Sequence, residues 1–419
     1  MKKRTFKLMA VAMVIALIFA FAAIPASAAT TYTPVAGTST TFNKYLVVDS
    51  DTNIPNKTFG FTVAQGTAIP AANGTVAVIA GPVLTDNGGS VTKPSIADVT
   101  FAPANTTTAG VPGDNTVTTK KYATQTATVD FDGITFPEPG VYRYIITENS
   151  VSAPYSITST NPLTLDVYVT DNNGSLVVSE YVLHTDTAAP TANASSGTAD
   201  VPNNGDSLST KTDGFTNEFD TQDLGFSKEV TGNQASKDKY FKYTVVITGL
   251  TAGDTYTVDL SNADSNISAN PNEATTVINE AVTQPATLTV ASGEASITQE
   301  YYLQNGQSIT ILGLPKGAGY TVTEDAEDYT KSSDNTLVAV AAQGTEGQAG
   351  YVPAKTYSDA DNGTLDTDKY VGYTNTKNGI IPTGVLLTIA PFAIGLLLFG
   401  ALGIFFIARR KRRVEDEED

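Results

Sequence analysis

Apolar and polar residues alternate along most of the chain with a period of two, which is typical of β-strands. In the run from Phe42 to Val48, for example, Phe42, Lys44, Leu46 and Val48 fall on one row. Alternate residues of an extended strand share a face, so such a row predicts a strand with one face toward a core. No long stretch shows helical periodicity, and Thr, Val and Tyr are abundant. The pattern predicts an almost wholly β chain.

The two ends of the chain depart from this alternation. At the N-terminus, four basic residues precede an apolar stretch over residues 8–24, and the small residues Ala-Ser-Ala follow at 26–28. This order is typical of a signal peptide, so residues 1–28 are predicted to be removed on export. The small residues at the cleavage site favour this interpretation over a permanent membrane anchor.

At the C-terminus, an uninterrupted apolar run extends from Val385 to Ala408, and the basic cluster Arg409–Arg413 follows it. As a helix, this run of about 24 residues is roughly 36 Å long, enough to cross the hydrocarbon core of a bilayer. The basic cluster would hold that end in the cytoplasm. The run therefore predicts a transmembrane helix.

A short motif lies directly before this run. It consists of Ile381, Pro382, Thr383 and Gly384. An ordinary membrane anchor needs no Pro-Thr-Gly, whereas a sortase substrate does, because the transpeptidase cuts between Thr and Gly and transfers the threonyl group to an amine. The motif predicts a sorting signal of the Gram-positive cell surface, with cleavage after Thr383.

Composition limits the function of the part between these ends. That part has 16 basic and 38 acidic residues, a net charge of −22, so nucleic acid is a poor partner. Its single arginine is Arg143 and its single histidine is His184, which leaves few groups for imidazole catalysis or phosphate binding. Cysteine is absent, so something other than a disulfide must lock the exported chain. We expect no enzyme acting on a diffusible substrate, no cofactor and no metal site.

The alternating part of the chain is longer than one β-sandwich normally holds. An internal repeat divides it in two. The same order of polar residues occurs twice: Lys44, Lys57, Glu148 and Asn217, and then Lys228, Lys239, Glu324 and Asn375. We predict one sandwich over residues 29–221, a second over 222–378, and the sorting segment over 379–419. The Pro/Asn/Gly/Ser-rich stretch 188–209 is predicted to be a long surface loop within the first sandwich.

Six of these polar residues fall on rows of apolar residues that should face the cores. They are Lys44, Glu148, Asn217, Lys228, Glu324 and Asn375. Burial disfavours charge, so it favours a neutral amine beside a protonated carboxyl group. A neutral lysine can attack an asparagine carboxamide while the glutamate polarises the carbonyl and relays protons to departing ammonia. The rows thus predict self-formed isopeptide bonds between the first and last strands of each sandwich.

The choice of lysine is less well fixed than that of the other groups. Lys57 and Lys239 also lie near the starts of strands and are the alternatives. Any one of these polar residues alone would be interpreted as a solvated or turn residue. The duplicated set favours the cross-link.

In this order of motifs, the chain resembles the streptococcal-type major pilins with tandem isopeptide-linkage domains. The resemblance rests on the strands ending in Thr-Glu and Thr-Asn, on Ser-Lys-Glu-Val-Thr-Gly at 227–232, and on the sorting motif. It implies an all-β fold of two tandem immunoglobulin-like, Cna B-type sandwiches. It also implies a bond from Lys44 to Asn217 assisted by Glu148, and one from Lys228 to Asn375 assisted by Glu324.

Polymerisation of such pilins needs a lysine that accepts the threonyl group of another subunit. In the family this lysine lies a few residues before the asparagine of the first domain, which indicates Lys211. Lys120 and Lys121 are the alternatives. The chain has no Trp, so the Trp-containing pilin motif of a different class does not apply.

The sequence thus predicts a shaft-forming backbone pilin, anchored to the cell wall after export. Its expected partners are a pilin sortase, identical subunits, accessory pilins, cell-wall peptidoglycan and a host surface. A monomeric wall-anchored adhesin on the same scaffold is the alternative. The size of the chain favours the pilin, because two sandwiches leave little room for an adhesive head. An anchored hydrolase would need a catalytic cluster, and no motif assembles one.

Overall fold

The computed structural model describes residues 31–72, 75–190, 210–269, 280–333, 338–340, 355–357 and 361–379. All regular elements in these ranges are β-strands, as the alternation predicts. The described residues contain no helix long and apolar enough to cross a membrane. The predicted signal peptide, the predicted sorting motif at 381–384, the apolar run after it and most of the predicted 188–209 loop lie outside the described residues.

The first half of the chain forms seventeen strands. They are β1 (Val35–Ala36), β2 (Thr40–Asp49), β3 (Lys57–Phe59), β4 (Phe61–Gln65), β5 (Val78–Ala80), β6 (Leu84–Thr85), β7 (Val91–Lys93), β8 (Ser95–Ile96), β9 (Val99–Phe101), β10 (Thr107–Ala109), β11 (Lys120–Asp130), β12 (Thr135–Phe136), β13 (Gly140–Glu148), β14 (Tyr155–Ile157), β15 (Leu163–Asn172), β16 (Ser175–His184) and β17 (Gly214–Phe219).

Two main sheets of these strands form a sandwich. One has the order β10-β11-β2-β17-β14 with β8 beside β11, and the other has the order β16-β15-β13-β4 with β5 beside β13. Alternate residues of the central strands fill the space between the sheets, including Phe42 and Leu46 from β2 and Tyr144 and Ile146 from β13. The sandwich therefore has one continuous apolar core, and the other face of each sheet points outward.

The second half forms fourteen further strands in the described residues. They are β18 (Thr221–Thr231), β19 (Phe241–Thr248), β20 (Thr255–Asn262), β21 (Asn266–Ile267), β22 (Val282–Thr283), β23 (Thr287–Thr289), β24 (Ser296–Leu303), β25 (Ser308–Pro315), β26 (Gly319–Glu324), β27 (Thr330–Ser333), β28 (Val338–Val340), β29 (Lys355–Tyr357), β30 (Asn362–Thr364) and β31 (Lys369–Thr376). The main sheets have the orders β23-β20-β25-β18-β31-β27 and β24-β19-β26-β30, around a second apolar core.

Each sandwich is closed by the pairing of its first and last long strands. β2 pairs with β17, and β18 pairs with β31, both in parallel. The first pair depends on a close backbone approach at Gly214, because a Cβ atom there would lie 1.7 Å from the carbonyl oxygen of Asn43. Parallel neighbours need a crossover connection, which here is the rest of the sandwich. Residues far apart in sequence are thereby placed on adjacent strands.

The connection between the sandwiches is short. β17 ends at Phe219 and β18 begins at Thr221. The Thr221 hydroxyl donates to Asp49 Oδ2 over 2.9 Å, and the backbone N–H of Asn56 donates to Asp254 Oδ1 over 2.6 Å. Side chains of both halves thus meet at the joint, and the division at residues 221 and 222 stays a prediction.

Candidate cross-linking sites

The first candidate site lies inside the first sandwich, between its two sheets. Lys44 is on β2 and Asn217 is on the neighbouring β17, where Phe215 is directly opposite Lys44 and Asn217 is two residues further along. Residues two apart on a strand share a face, so both side chains point into the core. Glu148 reaches the same point from the end of β13 in the facing sheet.

These three side chains contact one another. Lys44 Nζ lies 3.0 Å from each carboxylate oxygen of Glu148 and donates to Asn217 Oδ1 over 2.6 Å. Asn217 Nδ2 donates to Glu148 Oε1 over 2.7 Å. Lys44 and Asn217 have no exposed surface, and Glu148 is 1% exposed. Each side chain in this closed triangle is held by the other two.

Burial also shifts the pKa values of Lys44 and Glu148 in the directions that favour amide formation. Burial lowers the pKa of Lys44 to about 8, against the opposing effect of Glu148. Burial also raises the pKa of Glu148, against the effects of Lys44 and Asn217. Proton transfer from the ammonium to the carboxylate is therefore easier than in water. The Lys44 amine lies 4.6 Å from the centroid of the Phe59 ring, which excludes water from that side.

The second candidate site repeats this arrangement in the second sandwich. Tyr373 on β31 is directly opposite Lys228 on β18, and Asn375 is again two residues further along. Lys228 Nζ donates to Glu324 Oε1 over 2.8 Å, and Asn375 Nδ2 donates to the same oxygen over 2.7 Å. Burial lowers the pKa of Lys228 to about 8. The Phe241 ring, with its centroid 4.3 Å from the amine, takes the place of Phe59.

Two buried acceptors distinguish the second site. Glu324 Oε2 and Asn375 Oδ1 have no hydrogen-bond partner in the structure. Buried polar groups without partners are costly, and neither atom can donate when the glutamate is ionised. At the first site the corresponding asparagine oxygen accepts from Lys44, so the second site is the less fully hydrogen-bonded of the two.

The geometry permits the same reaction at both sites. The lysine amine attacks Cγ of the asparagine, a C–N bond forms, and the bond from Cγ to Nδ2 breaks. The glutamate takes a proton from the attacking amine and passes it to the leaving nitrogen, which departs as ammonia. The product is a neutral amide, so the buried charges disappear from the core.

Two residues at these sites were missed by the sequence analysis. The Asn161 side chain accepts from the Glu148 backbone N–H and donates to its carbonyl, both over 2.9 Å, and so fixes the end of β13. Lys331 lies directly opposite Asn375, and its amine donates to the Glu324 carbonyl over 3.2 Å. Neither is marked by periodicity, because each depends on the register between distant strands.

The alternative lysines of the two strands contact other groups. Lys57 Nζ lies 4.6 Å from the centroid of the Tyr155 ring. Lys239 forms an ion pair with Glu327. The structure therefore places Lys44 against Glu148 and Asn217, and Lys228 against Glu324, whereas the two alternative lysines contact other groups.

The three candidate acceptor lysines differ in their surroundings. Lys211 is exposed and forms an isolated antiparallel bridge with His184. Lys120 forms ion pairs with Asp49 over 2.9 Å and with Glu218 over 2.7 Å. Although burial opposes the shift, hydrogen bonds to these carboxylates raise the pKa of Lys120, whereas burial lowers that of Lys121. The Thr383 donor lies outside the described residues.

Comparisons with known proteins agree with this architecture. Residues 40–220 match the family model of a Spy0128-like isopeptide containing domain, and residues 222–377 match a domain of unknown function (DUF7601). A pilin from Streptococcus pyogenes serotype M1 is 27% identical over 398 residues, which cover 93% of this chain and 96% of the relative. This relative and the first family model confirm the predicted resemblance to streptococcal pilins with isopeptide-linkage domains.

Solved structures of pilins are also similar to this chain. The major pilin from Streptococcus pyogenes is 20% identical, with a TM-score of 0.46, over 82% of this chain and 100% of its own. The major pilin protein T-13 of the same species is 22% identical, with a TM-score of 0.42, over 83% of this chain and 100% of its own.

Proposed function

We propose that this chain, a relative of the streptococcal pilins, is the shaft-forming backbone subunit of a Gram-positive surface pilus. The observation that carries the proposal is the duplicated site, in which a buried lysine, glutamate and asparagine meet where the first and last long strands of a sandwich pair. A shaft subunit transmits force along the fibre, and a bond between these strands resists their separation. The subunit is structural and performs only its own cross-linking.

In this proposal, each of the two sandwiches, over residues 29–221 and 222–378, forms its own internal covalent cross-link. Lys44 bonds to Asn217 with Glu148 as the proton relay, and Lys228 bonds to Asn375 with Glu324 as the relay. The first bond joins residues 173 positions apart. By the chain-entropy model used for disulfides, such a link adds about 5 kcal/mol to the free energy of unfolding.

Assembly is the second part of the proposal. A pilin sortase cleaves between Thr383 and Gly384, forms an acyl-enzyme at Thr383, and passes the threonyl group to Lys211 of another subunit. Repetition of this step gives a covalent homopolymer. Accessory pilins and peptidoglycan complete the surface structure, and the signal peptide and sorting segment act only before assembly.

Intact mass tests the cross-links directly. The exported fragment, residues 30–378, is expected to be lighter than its sequence mass by two ammonia molecules. E148A and E324A should each restore one ammonia, whereas E138A, which changes an exposed glutamate, should restore none. A wild-type mass equal to the sequence mass would remove the cross-link proposal.

Assembly is tested separately, by co-expressing the full chain with its sortase in a Gram-positive host. A ladder of covalent polymers is expected. Wall-bound monomers alone would favour the adhesin.

A further inference from the structure

An ion network lies on the outer face of the first sandwich, away from both cross-linking sites. Arg143 donates to Asp166 through Nε and Nη2, each over 2.7 Å. The ring nitrogen Nε2 of His184 lies 3.1 Å from Asp166 Oδ2. All three residues are at most 9% exposed. The network contains both the single arginine and the single histidine of the exported chain.

The network fixes the chain where it leaves β16. Arg143 Nη1 donates to the carbonyl oxygen of Thr187 over 2.6 Å, and Nη2 donates to that of Ala188 over 2.9 Å. Although burial alone would raise the pKa of Asp166, its hydrogen bonds with Arg143 and His184 lower it. The carboxylate therefore stays charged and holds both partners.

Lys211 pairs with the histidine of this network. It lies opposite His184 in an antiparallel bridge, flanked by hydrogen bonds from Thr185 N to Thr210 O (2.8 Å) and from Thr212 N to Leu183 O (3.1 Å). This pattern marks a non-hydrogen-bonded pair, in which the two Cα atoms lie about 4.5 Å apart and the side chains share a face. The Lys211 and His184 side chains therefore leave the backbone next to each other on the same face.

The residues that follow Lys211 are hydrogen-bonded to the other main sheet. The backbone N–H of Asn43 donates to the carbonyl of Asp213 over 2.7 Å, and the Tyr45 hydroxyl donates to Asp213 Oδ2 over 2.5 Å. Gly214 then enters β17 in close contact with β2. Lys211 thus lies in a short segment of chain that is hydrogen-bonded to both sheets.

We propose that His184, held by Asp166 and Arg143, is a positioning residue that presents Lys211 to the sortase acyl-enzyme. This inference rests on the proposed function, because it takes Lys211 as the acceptor. In the transfer, the neutral Lys211 amine attacks the acyl carbon of Thr383 from another subunit. A C–N bond forms, the acyl-enzyme bond breaks, and the proton lost by the amine passes to the leaving group of the enzyme. A fixed backbone lowers the ordering cost of this encounter.

An acceptor assay tests the inference. The sorted chain, residues 30–383, lacks Gly384 and can act only as an acceptor. Pilin sortase and a fluorescent peptide containing Ile-Ile-Pro-Thr-Gly supply the donor, and transfer to hydroxylamine measures donor cleavage alone. H184F fills similar space without bonding to Asp166 and should lower kcat/KM for the protein acceptor at least tenfold. H184Q keeps a hydrogen bond and should recover most of this loss, and E180Q on the same strand should have no effect.

The outcomes separate the two proposals. K211R should abolish labelling, and full labelling of K211R would overturn Lys211 as the acceptor. Loss of labelling in K211R with wild-type kcat/KM in H184F would overturn the positioning role alone. Equal hydroxylamine transfer with every variant confirms that the donor step is unchanged.

A measurement on the unaltered protein covers the case in which H184F does not fold. The Thr185 and Thr212 amides should be protected from hydrogen exchange, since both donate to backbone carbonyls. If these two amides exchange at the rate of an unstructured peptide, the backbone around Lys211 is not fixed and the inference is contradicted.

Discussion

Replacing Asn217 with alanine removes the carboxamide that the proposed first cross-link would consume, while the pair of Lys44 and Glu148 stays in place. The exported fragment should then lose one ammonia molecule instead of two. N43A is a matched control, because Asn43 lies on the same sheet and its amide makes two side-chain hydrogen bonds, to Tyr45 and Asp213. N43A should keep both cross-links.

The size of the stability change follows from the loop. The bond between Lys44 and Asn217 spans 173 positions, which corresponds to about 5 kcal/mol by the chain-entropy model. For a sandwich of this size, N217A should therefore lower the Tm of the first unfolding transition by roughly 10–20 °C in calorimetry. The N43A control should lower it by only a few degrees.

Force spectroscopy with handles on the chain termini measures the same bond without a thermodynamic model. In the cross-linked protein, force passes from Lys44 directly to Asn217, and the 173 positions between them cannot extend. In N217A they should add roughly 600 Å of contour length. A wild-type protein that lengthens as much as N217A would refute the first cross-link.

Two further predictions concern the chemistry and the strand pairing of the first site. In E148Q, which cannot complete the bond, the pKa of Lys44 should fall further below its unfolded value of about 10.4 than the value of about 8 that it has beside Glu148, because burial lowers this pKa and the Glu148 carboxylate raises it. Between the folded and unfolded pKa values the folded state binds fewer protons, so urea unfolding should show stability that rises with pH up to about 10.4 and is lost as the pH falls through the lowered pKa of folded Lys44; a K44M/E148Q variant that rises equally would contradict this. G214A should abolish the first bond and keep the second, since a Cβ would lie 1.7 Å from the Asn43 carbonyl oxygen; G88A in an exposed turn is the control, and intact mass is the measurement.

The strand periodicity predicts the parts of the sites that depend on one strand at a time. It places Lys44 on the row of Phe42 and Leu46, and the structure buries all three. It also predicts the burial of Glu148 and Asn217, because each continues an apolar row. Repetition of the set in the second half strengthens the interpretation beyond what any one row supports.

Contacts that depend on register between strands could not be predicted in this way. Arg143 and His184 are isolated from each other in sequence, 41 positions apart, yet β15 places Asp166 between them. Lys331 falls opposite Asn375 only because β27 pairs with β31 in one register. The alternation along one strand predicts which face of the sheet a side chain occupies. The residue that lies opposite it on the neighbouring strand is set by the packing of the whole sandwich.

The position of the acceptor lysine determines which cross-link bears load in the fibre. If force enters at Lys211 and leaves at Thr383, it passes Asn217 after six residues, reaches Lys228, crosses to Asn375 and leaves the subunit. The first sandwich then lies beside this path, and its bond serves stability, whereas the second bond carries tension.

In sortase-linked polymers, N375A should add roughly 500 Å of contour length per subunit, from the chain between residues 228 and 375, and N217A should add almost none. With handles on the termini, the same N217A subunit should lengthen. Polymers in which N217A also lengthens would show that force enters elsewhere, for example at Lys120, and would refute Lys211 as the point of linkage.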